Sequence, residues 1–119
     1  MSDAATKFLE QRGIPEHLAR HGLSGLLESW ELTGRELAEG WSVTRAEFVQ
    51  DLEARQILAE AEAQGLLDEH DLKRLSLADR NFAASTKATQ TCTLDADTAT
   101  KRGYTAEANW WYWREPVEA

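Results

Sequence analysis

The sequence predicts a mainly α fold: four to five helices around one core, with a small C-terminal two-stranded antiparallel β-hairpin. Three observations predict it. Apolar residues recur at helical spacing up to about Lys87. Capping-box spacings, "TGRE" (33–36) and "TRAE" (44–47), and suitably placed glycines punctuate that stretch. Beyond Lys87 the composition turns to threonine and tryptophan, which suit extended chain. With 119 residues the chain is read as a single domain, 1–119, helical over 1–87 and a Trp-rich hairpin or extended segment over 88–119.

The elements follow in order. Ser2 or Asp3 is placed to cap a short helix whose apolar contacts are Phe8 and Leu9, ended by Gly13. Pro15 suits the first turn of a second short helix, closed by Gly22. Leu23, Leu26, Leu27, Trp30, Leu37, Ala38 and Trp41 then share one helical stripe. Gly34 lies on that stripe, where it admits a neighbouring backbone, although "TGRE" predicts a break and restart there. Gly40 is the expected stop. "TRAE" opens the longest helix, 45–64, with Gly65 beyond it. Its expected apolar face is Phe48, Val49, Leu52, Ala59 and Ala63. Asp68 caps a further helix carrying Leu72, Leu75, Phe82 and Ala83.

After Lys87, "ATQTCTL" (88–94) and "NWWYW" (109–113) are read as the two strands, joined by a long loop with a helical turn. In a strand, Trp111 and Trp113 point one way and Trp110 and Tyr112 the other. One pair then packs on the helices, and the other needs cover from the loop, from Trp30 or Trp41, or from a partner.

Charge narrows the function. The net charge is -8, and it is uneven. Residues 1–71 hold fifteen acids against six Lys/Arg, net -9; residues 72–119 are net +1. Such a chain repels phosphates, which argues against general nucleic-acid binding, and attracts a basic protein. No apolar run approaches the ~20 residues of a membrane span, and no secretory signal is predicted. A single cysteine, Cys92, leaves no internal disulfide, so a cytoplasmic setting is expected.

Chemistry-bearing motifs are few. Asp51 and Arg55 stand four apart in the favourable order for a helical ion pair. Asp79 sits between Leu75 and Phe82 on a buried stripe and requires a cation, for which Arg55 and Arg114 are the candidates. These four residues form either a packing network or an anion or small-molecule site. His17 and His21 share a helical spacing but lack the H-E-x-x-H order, so no metal and no cofactor is expected. "LDADTA" (94–99) lacks the Thr or Val that a D-x-D-x-T/V phosphatase places at position 99, and is read as a capped polar turn. No nucleophile or phosphate-loop motif occurs.

The expectation is therefore a non-catalytic acidic protein-binding module. Its sharpest form is an inhibitor of a basic partner, with Glu28, Glu31, Glu36 and Glu39 steering encounter and an exposed Trp110 or Tyr112 as anchor. The alternatives are a structural or regulatory homo-oligomeric subunit, such as a homodimer through the Trp-rich edge, and a small-molecule binder or enzyme at Asp51, Arg55, Asp79 and Arg114.

Overall fold

The computed structural model describes residues 4–14, 22–40 and 44–116. The elements are α1 (Ala4–Arg12), α2 (Gly22–Ala38), α3 (Arg45–Ala63), α4 (Glu69–Ala84), β1 (Thr86–Ala88), α5 (Ala96–Arg102), a 3-10 turn (Trp110–Trp113) and β2 (Arg114–Pro116). The expected cap at Ser2 or Asp3, the short helix from Pro15 to His21, and Trp41 lie outside the described residues.

Local chemistry sets the helix ends. Thr44 is extended, and its hydroxyl accepts from the Glu47 amide at 3.1 Å, opening α3. At the other end Gly65 adopts a φ of +72°, which lets its amide reach Glu62 and the Leu66 amide reach Ala61. A capping box of Asp68 and Asp71 opens α4. Asp95 caps α5 by accepting from Thr98, so "LDADTA" is the capped turn that its sequence suggests.

The predicted break in α2 does not occur. Thr33 donates its hydroxyl back to the Ser29 carbonyl at 3.0 Å, so it serves the preceding turn instead of capping a new one. Gly34 is buried against α4: a Cβ there would stand 3.3 Å from both Asn81 Cβ and the Phe82 amide nitrogen. Trp30 meets Asp79 and Gly34 meets Phe82, so α2 and α4 run in the same sense. Phe48 meets Phe82 and Arg55 meets Asp79, so α3 runs opposite to both.

α3 is enclosed more completely than its predicted face implies. Leu52 and Leu58 are fully buried, and Ala54, Ile57 and Ala61 join them, while Ala63 is exposed. Helix α2 and the aromatic turn pack on this rod, and its Phe48 and Arg55 side chains reach across to α4, so no simple stripe marks it. On α4, Leu72, expected on the apolar face, is exposed, and Ala78, absent from that expected face, is buried in the core.

The hairpin is shorter and displaced from the predicted strands. β1 and β2 pair antiparallel, Thr86 with Pro116, Lys87 with Glu115 and Ala88 with Arg114. Beyond them "NWWYW" turns as a 3-10 helix, so its side chains do not alternate. Trp111 and Tyr112, adjacent in sequence, are both buried, and Trp110 and Trp113 are half-buried. A strand would have turned one aromatic pair outward; the tighter turn lets neighbours share the core. Asn109 fixes the turn by donating to Gln56 on α3 at 2.8 Å and accepting from the Thr105 amide.

Candidate functional site

The four polar residues singled out from the sequence do not converge. Arg55 and Asp79 do meet: Nε donates to Oδ1 at 2.8 Å and Nη2 to Oδ2 at 3.1 Å. Trp30 Nε1 donates to the same Oδ1 at 2.9 Å. The Arg55 guanidinium also lies over Trp111, 4.3 Å from its ring centroid. Arg55 Nη1 and Trp111 Nε1 have no acceptor among the described residues. With side-chain exposures of 7% and 21%, the Arg55–Asp79 pair belongs to the core that joins α2, α3, α4 and the aromatic turn.

Arg114 is elsewhere. It donates to the Thr86 hydroxyl at 2.7 Å and to the carbonyls of Ala83 and Thr86 at 3.0 and 2.9 Å. It therefore closes the carbonyl end of α4 and ties β2 to it. Asp51 does not pair with Arg55, whose side chain is taken by Asp79. It is half-buried beside α2, and its carboxyl is pushed up to about 6 by burial first, then by the charges of Glu36 and Glu47.

A polar clasp absent from the sequence reading lies at α1 and α3. Arg12 Nε donates to Glu60 at 2.7 Å and Nη2 to Glu53 at 3.0 Å. The Tyr112 hydroxyl donates to Glu53 at 3.0 Å, and Gln56 to Glu60 at 3.1 Å. Hydrogen bonding to Glu60 raises the Arg12 guanidinium further above its ordinary value. Burial, then the Glu53 charge, raises the Tyr112 phenol, so it remains a donor. Gln56 and Glu60 are one helical turn apart, but Arg12 and Tyr112 reach partners 41 to 59 residues away, so no local spacing announces the clasp. The open cleft beside the clasp, about 530 Å³, is walled by Arg12 and Glu60 already bound to each other. A second groove, about 210 Å³, passes Cys92, Phe48 and Arg45, whose guanidinium is held by the Thr93 carbonyl. Burial raises the Cys92 thiol, which keeps it protonated.

The acidic residues lie on α2. Glu28 and Glu39 are exposed; Glu31 and Glu36 are half-buried. Glu31 is engaged by Arg74 of α4 at 2.7 and 3.3 Å. The sequence reading missed Leu32, 46% exposed, one turn from Glu28 on one side and from Glu36 on the other. Its apolar type off the buried stripe was the available signal. Tyr112, by contrast, is fully buried and offers no surface. Trp110 is half-buried against Phe82 and Trp111.

His17 and His21 lie outside the described residues. Among the described residues no group of three or more His, Cys, Asp or Glu is placed to hold a metal ion, and no helix is long and apolar enough to cross a membrane. No family model matches the chain, and no curated protein and no solved structure matches it.

Proposed function

We propose that this chain is a non-catalytic, cytoplasmic protein-binding module that docks a basic partner protein on the outer face of α2. Its sharpest form is an inhibitor, immunity- or antitoxin-like, that covers a basic active site. The observation that carries the reading is Leu32: an exposed apolar anchor set between Glu28 and Glu36, with Glu39 one turn further. An apolar centre with a charged rim is the arrangement in which a few residues supply affinity and the rim supplies encounter rate.

Two further features support it. The polar residues that would serve a small-molecule site are spent on the framework: Arg55 and Asp79 on each other, Arg114 on the end of α4. The tryptophan-rich tail supplies core, so the anchor moves from Tyr112 to Leu32. The test is the salt dependence of association with the cognate basic protein. Changing Glu28, Glu36 and Glu39 to Gln should slow association about 10- to 100-fold at low salt and flatten its salt dependence. An unchanged rate would remove the electrostatic part of the reading. Glu31 is left intact because its loss would also free Arg74.

A further inference from the structure

We propose that the chain also associates with a second copy of itself, the acidic α2 face of one copy meeting a basic face of α4 on another. The observation is Leu77. At 58% it is the most exposed of the large hydrophobic residues described. Lys73 and Arg74 lie one turn before it and Arg80 one turn after. Leu77 is thus an apolar anchor with a cationic rim, and Leu32 is one whose rim, Glu28 and Glu36 against the exposed Arg35, is net anionic.

The molecule already uses this complementarity once. Arg74 of α4 reaches Glu31 of α2 within the chain, through two hydrogen bonds of 2.7 and 3.3 Å. The neighbouring charges are left over. Arg80 makes no ion pair among the described residues, nor do Glu28, Glu36 and Glu39. Among the described residues Lys73 pairs only with Glu69, at 3.7 Å, in a well-exposed contact of the kind worth little. A second copy can therefore offer Lys73 and Arg80 to Glu28 and Glu36 while Leu77 and Leu32 cover each other. Like-with-like contacts, α2 on α2 or α4 on α4, are opposed by the same charges. The contact pairs unlike patches, either once, head to tail, or twice about a two-fold axis.

This inference shares the α2 face with the proposed function but does not depend on it, because it is tested on the purified chain alone. A second copy and a foreign partner then compete for one surface.

The experiment is sedimentation of the purified full chain over a concentration series, at low and at high salt. The weight-average mass should rise with concentration above the 13.4 kDa of one chain, and salt should reverse the rise. Two charge-reversed variants follow, Lys73→Glu with Arg80→Glu, and Glu28→Lys with Glu36→Lys. Each alone should remain monomeric, and an equimolar mixture should associate again, since one now carries two acidic faces and the other two basic ones. Leu77→Ser, at an exposed position that does not threaten the fold, should weaken self-association about tenfold. A wild-type chain that stays monomeric at low salt overturns the proposal. So does an associated species that neither pair of reversals nor Leu77→Ser disturbs. Either failure leaves partner capture by α2 untouched.

Discussion

Arg55 holds Asp79 through two hydrogen bonds, 2.8 and 3.1 Å, while the face of its guanidinium lies against Trp111. One ion pair thereby ties three helices to the aromatic turn, with Trp30 supplying a third bond to the carboxylate. Removing one member leaves the other buried and unpaired. Asp79→Ala should cost about 3–5 kcal/mol, a large share of the roughly 5–15 kcal/mol by which a domain is stable. Replacing both members with apolar residues of similar volume should recover most of that loss, because the desolvation penalty disappears too. Denaturant unfolding of the single and double variants checks this. A single variant as stable as the parent would show that the pair is not a framework contact.

Gly34 marks the closest approach of α2 to α4. An added methyl would press on Asn81 Cβ and the Phe82 amide, each 3.3 Å away. Alanine is the better helix former, so propensity favours Gly34→Ala by up to about 1 kcal/mol. Overpacking opposes it by about 1–3 kcal/mol, and backbone yields less readily than a side chain. A net loss is expected, seen as a lower thermal midpoint. A gain would mean that the two helices separate freely.

Asp51 makes stability depend on pH. An unperturbed aspartate ionises near 3.8, whereas in the folded chain this one does so near 6. The folded state binds the proton more tightly. The contribution of Asp51 is therefore fully present below about pH 3.8 and is lost as pH rises through 6. Asp51→Asn should stabilise the protein by about 1 kcal/mol near pH 7.5, a modest figure because water screens a half-exposed carboxylate, and should change little near pH 4. Paired unfolding curves at the two pH values decide it. A loss near pH 7.5 would mean that ionised Asp51 is held by a favourable partner.

How far the sequence reached depended on the range of the interactions. Caps act over three or four residues, so Thr44, Asp68 and Gly65 mark the ends of α3 and α4 in the sequence and in the structure alike. The small residue at Gly34 was legible because it interrupts a stripe of large ones. The requirement that Asp79 find a cation was legible from its place between Leu75 and Phe82, and of the two candidates Arg55 is the one that meets it. What failed was governed by distant packing. Propensity favours a strand for "NWWYW", but Gln56, more than fifty residues away, holds Asn109 and turns the segment. Arg12, Glu53 and Glu60 form their clasp across the fold, with nothing local to signal it. The acidic helix was legible as charge, whereas its apolar centre at Leu32 required knowing which side of α2 is buried.

The most direct test of the account is a paired capture from the source lysate at low salt. The bait is either the native chain or a variant carrying Glu28→Gln, Leu32→Ala, Glu36→Gln and Glu39→Gln, and the recovered protein is then titrated against both. These four positions lie off the buried core, so both baits should fold alike, which circular dichroism checks. The account predicts that the native chain retains one basic protein in stoichiometric yield, that salt releases it, and that the variant binds it at least about 100-fold more weakly. A basic partner bound equally by both baits, or no stoichiometric partner on the native chain, would contradict it.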